Sequence, residues 1–134
     1  MSKQLSRITF VEDEPDIRSV AQIALEELGG FIVDICRSGH EALERAPAFR
    51  PDVILLDVMM PGMDGIETFR ALKADGRLVL APVIFMTAKV QSHEVESYRA
   101  LGAAGVIPKP FNPLTLSDQI RAMWNKCQSV ESSQ

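Results

Sequence analysis

Residues 51–65 of the chain are PDVILLDVMMPGMDG. Four apolar residues, 53–56, lead directly to Asp57, and a loop rich in proline and glycine follows. A short apolar run bounded by turn residues is typical of a strand that is covered on both faces. Open parallel sheets bind their ligands just beyond the carboxyl ends of their strands, so Asp57 is expected at a ligand-binding edge.

Short apolar runs alternate with amphipathic helical patterns along the rest of the chain. Five strands are predicted, over residues 8–11, 31–36, 53–56, 83–86 and 106–107. Helices are predicted to begin at Pro15, Ser38, Asp64, Ser92 and Asn112. The first helix is expected to run unbroken to Leu28, where a pair of glycines ends the pattern. Strict alternation implies an α/β domain, a doubly wound five-stranded parallel sheet with helices on both faces.

Composition limits the size of the protein and the functions it can have. The 134 residues are 46% hydrophobic and 24% charged, which suits one globular domain with a full core. We place that domain over residues 3–127, followed by a polar C-terminal tail over residues 128–134. A net charge of -4 argues against direct binding to nucleic acid. Without a signal peptide or an apolar run of roughly 18 residues, we expect a cytoplasmic protein and no membrane insertion.

The two cysteines, Cys36 and Cys127, are far apart in the sequence, and Cys127 falls on the apolar stripe of the last helix. A disulfide or a metal site is therefore not expected from them. We predict two buried, reduced thiols without a function.

Polar residues that follow four of the strands are expected to meet at one edge of the sheet. They are Glu12 and Asp13 after the first strand, Asp57 after the third, Thr87 after the fourth and Lys109 after the fifth. Clustered carboxylates repel one another unless a cation lies among them, and oxygen ligands of this kind suit Mg²⁺. Asp57 could then act as a nucleophile, because carboxylates accept phosphoryl groups as aspartyl phosphates. Thr87 and Lys109 could align the phosphoryl oxygens and neutralise their charge.

The chain resembles the receiver domain of bacterial two-component response regulators, particularly the chemotaxis regulators. The resemblance covers almost the whole chain and rests on four motifs in order, VEDEPDIR, DVILLDVMMPGMDG, IFMTAK and GVIPKPF. It implies the flavodoxin-like strand order 2-1-3-4-5 and a role in a phosphorelay. The protein would not be an enzyme, beyond catalysing its own phosphorylation and dephosphorylation. Its expected partners are a sensor histidine kinase or phosphotransfer protein, and a downstream protein target or output domain.

The resemblance also assigns roles in phosphoryl transfer. Asp57 would accept the phosphoryl group from a phosphohistidine, and Thr87 and Lys109 would bind that group. The peptide bond between Lys109 and Pro110 would be cis, which is uncommon in proteins generally.

Magnesium binding is implied by the same resemblance. Asp13, Asp57 and the backbone carbonyl of Met59 would hold Mg²⁺, and Glu12 would act through a water molecule. The expected cofactor is therefore Mg²⁺, and no organic cofactor is expected.

Val106 departs from the pattern of many receiver domains, which have an aromatic residue three positions before the lysine. That ring changes rotamer when the threonine moves toward the phosphoryl group. A valine has no ring to move, so we expect the signal to pass through the loop after the fourth strand. The fourth helix, last strand and last helix would then form the responding face.

Two other classes of function are compatible with a sheet of this kind. A flavin-binding protein or an aspartate-nucleophile phosphatase could use a similar sheet. However, the acids after the first strand would repel a flavin phosphate, and haloacid dehalogenase phosphatases have a second Asp where this chain has Met59. The alternative that stays open is a receiver-fold binding module that works without phosphorylation.

Overall fold

The computed structural model describes residues 4–132. Its strands are β1 (Arg7–Val11), β2 (Ile32–Cys36), β3 (Val53–Asp57), β4 (Val83–Thr87) and β5 (Gly105–Pro108). Its helices are α1 (Pro15–Gln22), α2 (Gly39–Phe49), α3 (Gly65–Ala74), α4 (Ser92–Leu101) and α5 (Leu116–Ser132), with a π-helical segment at Ile23–Leu28. The strands pair in parallel in the order β2-β1-β3-β4-β5. The predicted doubly wound architecture and strand order are confirmed.

Strand β3 lies at the centre of the sheet, and all five of its residues are buried. Ile54 and Leu56 pack into the core layer beneath α2, α3 and α4. Val53 and Leu55 pack into the opposite layer, beneath α1 and α5. Because both faces are covered, every position of β3 before its last is apolar. The strand therefore places Asp57 at the carboxyl edge of the sheet without exposing it.

The first helix differs from the prediction of one unbroken helix to Leu28. Regular α-helix ends at Gln22, and the π-helical segment continues to Leu28. Hydrogen bonds in a π-helix join residues five apart, so apolar residues at α-helical spacing do not stay on one face. As a result, Leu28 is 58% exposed, while Ala24 and Leu25 are buried.

The last helix begins and ends later than predicted. Asn112 Oδ1 accepts the Leu114 N–H at 2.9 Å, but the residues after Asn112 form a turn and α5 begins at Leu116. The helix then continues to Ser132, so residues 128–132 extend α5 and do not form a separate element. The division at residue 127 stays a prediction. Residue 3 and residues 133–134 of the predicted ranges lie outside the described residues.

The predicted starts of α2 and α3 are confirmed by their caps. Ser38 Oγ accepts the Glu41 N–H at 3.1 Å. Asp64 and Glu67 form a capping box, in which each side chain accepts the backbone N–H of the other. These caps fix where the helices begin relative to the carboxyl edge of the sheet.

The two cysteines differ in how deeply they are buried. Cys36 is fully buried in β2 and Cys127 is half-buried on α5, and neither forms a disulfide within residues 4–132. Burial raises the pKa of the Cys36 thiol to about 12, so this thiol is protonated at neutral pH. Cys127 is therefore less buried than predicted. Within residues 4–132, no helix has both the length and the apolar character needed to span a membrane.

Candidate functional site

The carboxyl edge of the sheet brings the predicted acids and Lys109 together. Oxygen atoms from Glu12, Asp13 and Asp57 all lie within 4.8 Å of one another. Lys109 Nζ lies 2.9 Å from Glu12 Oε1 and 3.4 Å from Asp57 Oδ1. The β1, β3 and β5 ends thus supply three carboxylates and one ammonium to a single site.

Asp57 is nearly inaccessible to solvent, with 1% of its surface exposed. Its Oδ1 accepts the backbone N–H of Met59 at 3.2 Å and faces Lys109. Its Oδ2 is buried and has no hydrogen-bond partner among the described residues. Leaving a buried carboxylate oxygen unpartnered costs free energy. This atom is therefore suited to a group that the protein itself does not supply.

Glu12 and Lys109 form the closest ion pair of the site. Glu12 is fully buried, while the Lys109 side chain is 17% exposed. Burial raises the pKa of Glu12 to about 7, although the hydrogen bond from Lys109 acts in the opposite direction. For Lys109, burial lowers the pKa, but the pairs with Glu12 and Asp57 outweigh it and the pKa is raised. Lys109 is therefore protonated at neutral pH, while Glu12 titrates in this range.

Thr87 is fully buried at the end of β4, one residue beyond the partner of Asp57 in the sheet register. Its Oγ accepts the backbone N–H of Lys89 at 3.0 Å, so the hydroxyl proton remains available to another acceptor. The Thr87 carbonyl accepts the Lys109 N–H at 3.0 Å, which holds the two predicted phosphoryl-binding residues on adjoining segments. The Lys109–Pro110 peptide bond is cis, as the resemblance implies.

The loop after β3 returns tightly against Asp57. The Gly65 N–H donates to the Val58 carbonyl at 3.0 Å. A Cβ atom at Gly65 would lie only 2.5 Å from Val58 Cα, so α3 can begin here only at a glycine. The Met59 side chain is 60% exposed. The predicted use of the Met59 carbonyl as a metal ligand stays a prediction.

Two cavities differ in their relation to this site. A surface cavity of about 530 Å³ lies beside the loop after β3 and is lined by Val58, Met59, Met60, Pro61, Asp64 and Ile66. A larger cavity of about 680 Å³ is lined by residues that precede β3 and β4, including Asp52 and Pro82. It lies at the amino ends of the strands. Neither cavity is lined by Glu12, Asp13 or Asp57, but the smaller one is lined by the residues that directly follow Asp57 and so lies at the same edge of the sheet as the acids.

Arg18 is a site residue that the sequence analysis missed. Its Nη1 donates to the carbonyl oxygens of Glu12 at 3.1 Å and Asp13 at 2.7 Å. The acceptors are backbone carbonyls, which every residue has. Matching Arg18 to acidic side chains in the sequence therefore does not indicate these hydrogen bonds. The only available signal was the position of Arg18 one turn into α1, from which a long side chain extends back toward the preceding loop.

Val106 lies beside Phe85 in the pairing of β4 with β5 and packs against the core layer beneath α2, α3 and α4. The Phe85 ring contacts Phe69 and Tyr98 in edge-to-face arrangements, with centroids 5.3 and 5.5 Å apart. Tyr98 is 8% exposed. The aromatic side chains near Val106 therefore pack inside the domain.

The donor set fits a hard divalent cation. Every candidate side-chain ligand in the cluster of Glu12, Asp13 and Asp57 is an oxygen. Such oxygen sets are typical of Mg²⁺ sites, in which water and phosphate complete the coordination. Asp57 Oδ2, buried and without a protein partner, is available to such an ion.

Comparison with known proteins gives a consistent family match. The model of the response regulator receiver domain family matches residues 8–121. The DNA-binding response regulator MtrA of Mycolicibacterium smegmatis is 35% identical over 122 residues, which cover 91% of this chain and 52% of that protein. The transcriptional regulatory protein CseB of Streptomyces coelicolor is 38% identical over 118 residues, covering 88% and 49%. This chain spans about half the length of these curated relatives.

Solved structures with the same architecture include the chemotaxis response regulator CheY4 of Vibrio cholerae. It superposes with a TM-score of 0.82 at 31% identity, covering 90% of this chain and 99% of that one. The signal receiver domain of a signal transduction histidine kinase from Syntrophus aciditrophicus gives a TM-score of 0.77 at 32% identity, covering 90% and 91%. Both solved structures therefore share this fold and about a third of its sequence.

Proposed function

Because this chain belongs to the response regulator receiver domain family, in which an aspartate is phosphorylated during two-component signalling, we propose that Asp57 is its phosphoacceptor. The observation that carries the proposal is the environment of this carboxylate. It lies buried at the end of the central strand, with one oxygen facing Lys109 and the other unpartnered among the described residues. No other described aspartate combines these features with a neighbouring pair of acids.

In the proposed reaction, a carboxylate oxygen of Asp57 forms a bond to the phosphorus atom of a phosphohistidine. The bond between phosphorus and the imidazole nitrogen breaks, and its electron pair stays on the nitrogen. Lys109 Nζ, 3.4 Å from Asp57 Oδ1, would bind the phosphoryl oxygens and offset their charge. The Thr87 hydroxyl, which already accepts from Lys89, would donate its proton to the same oxygens.

Magnesium is the proposed cofactor. Asp13, Asp57 and the Met59 carbonyl would hold the ion, and Glu12 would contact it through water. When bound, Mg²⁺ would neutralise charge on the transferring phosphoryl group. The proposal is supported by the three clustered carboxylates and by the unpartnered Asp57 Oδ2.

The proposed donor is a sensor histidine kinase or a phosphotransfer protein, and the proposed recipient of the signal is a downstream protein or an output domain. Relatives named as DNA-binding or transcriptional regulators are about twice the length of the matched region, which supports an output domain or partner. Phosphorylation would act by shifting the population between two conformations of the domain. A cytoplasmic location, self-catalysed phosphorylation and dephosphorylation, and no direct contact with nucleic acid are part of the same proposal.

Intact-protein mass spectrometry tests the phosphoacceptor directly. The chain is incubated with Mg²⁺ and a small phosphodonor such as acetyl phosphate, and parallel samples contain a chelator. We expect the parent protein to gain one phosphoryl group only when Mg²⁺ is present. Asp57→Asn should gain none, whereas Asp118→Asn, which changes an exposed acid on α5, should behave like the parent.

Either of two results would overturn the proposal. If the parent gains no phosphoryl group at any Mg²⁺ concentration, the receiver-fold binding module becomes the better description. If Asp57→Asn is phosphorylated as readily as the parent, the acceptor is a different residue. Loss of the reaction in Asp118→Asn would show that the assay reports damage to the fold.

A further inference from the structure

Arg18 binds the backbone of the acidic loop and not its carboxylates. The side chain starts in the first turns of α1, and its Nη1 reaches the Glu12 and Asp13 carbonyl oxygens at 3.1 and 2.7 Å. The two hydrogens of this nitrogen can serve one carbonyl each. Hydrogen bonds from a charged donor are stronger than those between neutral groups. One guanidinium therefore fixes the orientation of two consecutive peptide groups.

The two acids differ in how the rest of the protein holds their side chains. The Glu12 carboxylate is buried, accepts from Lys109 and also accepts the Glu14 N–H at 3.3 Å. The Asp13 carboxylate is half-buried and accepts no hydrogen bond from any residue in the described part of the chain. Within residues 4–132, no hydrogen bond holds the Asp13 carboxylate itself, so its position depends on the backbone that carries it. Arg18 is the side chain that holds that backbone.

We propose that Arg18 is a positioning residue for the metal site, which keeps the Asp13 carboxylate directed toward Asp57 by holding the Glu12 and Asp13 carbonyls. The inference rests on the proposed function, because it concerns the same Mg²⁺ site. Arg18 does not contact the metal or the phosphoryl group in this role. It lowers the cost of arranging the carboxylates, because the loop has fewer conformations to lose when the ion binds.

The size of the effect follows from the behaviour of groups that orient metal ligands. Removing such a group typically weakens metal binding by about 10–100-fold. Since Arg18 acts on the backbone of one expected ligand, we expect Arg18→Met to raise the Mg²⁺ dissociation constant about tenfold. Arg18→Lys retains the charge but has a single ammonium without the planar fork, so we expect an intermediate increase of about threefold.

The test measures Mg²⁺ binding and phosphorylation separately in the full chain. Mg²⁺ is titrated into the parent, Arg18→Met and Arg18→Lys, and the backbone amide shifts of residues 12–14 and 57–59 are followed by NMR. The initial rate of phosphorylation by acetyl phosphate is then measured across Mg²⁺ concentrations. For Arg18→Met, the half-saturating Mg²⁺ concentration should rise about tenfold, while the rate at saturating Mg²⁺ stays within about twofold of the parent.

Arg70→Met is the matched control, because Arg70 is exposed on α3 and distant in sequence from the acidic loop. It should bind Mg²⁺ with the parent's affinity. If both Arg18 variants bind Mg²⁺ within twofold of the parent, the inference is wrong whatever their rates. A lower maximal rate with unchanged Mg²⁺ dependence would also overturn it. If the parent itself binds no Mg²⁺, the proposed function fails first, and that result is distinguishable from failure of the Arg18 inference alone.

Discussion

Removing the Lys109 ammonium should destabilise the domain through its pair with Glu12, and a double-mutant cycle isolates that pair. Lys109 Nζ and Glu12 Oε1 are 2.9 Å apart, with Glu12 fully buried and Lys109 17% exposed. The Coulomb attraction at this distance is about 6 kcal/mol with an effective dielectric constant of about 20. The cost of burying both charges cancels much of that attraction. Since hydrogen bonds to charged groups contribute about 1.5–3 kcal/mol net, we expect a coupling of about 2 kcal/mol.

The cycle consists of the parent, Lys109→Met, Glu12→Gln and the double variant, unfolded in urea at pH 8 without divalent cations. At this pH Glu12 is largely ionised, because its pKa is about 7. Arg37→Met with Glu41→Gln forms the matched control cycle, since this pair is 3.5 Å apart and the Arg37 side chain is 72% exposed. Exposed pairs contribute little, so the control coupling should be below about 0.5 kcal/mol.

The coupling free energy of the Glu12–Lys109 pair should exceed that of the Arg37–Glu41 pair. Equal coupling in both would refute the inference that Glu12 holds Lys109 in the metal-free protein. Lys109→Met should also lower the free energy of unfolding by more than the coupling free energy, because Lys109 Nζ lies 3.4 Å from Asp57 Oδ1 as well. A cost for Lys109→Met no larger than the coupling would show that the contact with Asp57 is energetically neutral.

Three further predictions concern packing, thiol reactivity and pH. Gly65→Ala should lower the free energy of unfolding in urea by about 1–3 kcal/mol, because the added Cβ would clash with Val58. Gly76→Ala is the control, since a Cβ there meets no atom within 4 Å, and it should change the free energy of unfolding by less than about 0.5 kcal/mol. Equal changes in the two variants would contradict this prediction. Mass spectrometry after treatment with a thiol reagent at pH 8 should show labelling of half-buried Cys127 but not of Cys36, with both labelled in urea; labelling of both in the native protein would contradict it. Because the Glu12 pKa is raised from 4.5 to about 7, its contribution to the stability of the metal-free protein is full below about pH 4.5 and is lost as the pH rises through 7. The unfolding free energy of the parent minus that of Glu12→Gln should therefore decrease from pH 5 to pH 8, and a constant difference would disprove the assignment.

The parts of the site that could be predicted are those that follow from topology. A parallel sheet places the carboxyl ends of its strands along one edge, so residues directly after the strands must approach one another. This rule brings carboxylate oxygens of Glu12, Asp13 and Asp57 within 4.8 Å of one another, although Asp13 and Asp57 are 44 positions apart in the sequence. Apolar runs were sufficient to find β3 and β4, because all residues of these strands are buried and no alternation of apolar and polar residues is needed.

The features that could not be predicted depend on backbone geometry. The π-helical segment from Ile23 to Leu28 has no distinct composition, since its residues also suit an α-helix. The hydrogen bonds of Arg18 end on carbonyl oxygens, which every residue has. The late start of α5 at Leu116 reflects a turn that satisfies Asn112 before the helix begins. In each case, the sequence allows more than one backbone path.

Lys109 has two competing partners in the site, the carboxylates of Glu12 and Asp57. Lys109 Nζ lies closer to the Glu12 carboxylate than to the Asp57 carboxylate, at 2.9 Å against 3.4 Å. A phosphoryl group on Asp57 would add negative charge next to Asp57, which is the more distant of the two carboxylates from Lys109. Contact with that group would draw the ammonium away from Glu12, which is fully buried and can lose its partner only by taking a proton or gaining another cation. Protonation of Glu12 is accessible near pH 7, so the same residue that holds Lys109 in the unphosphorylated protein can release it at modest cost.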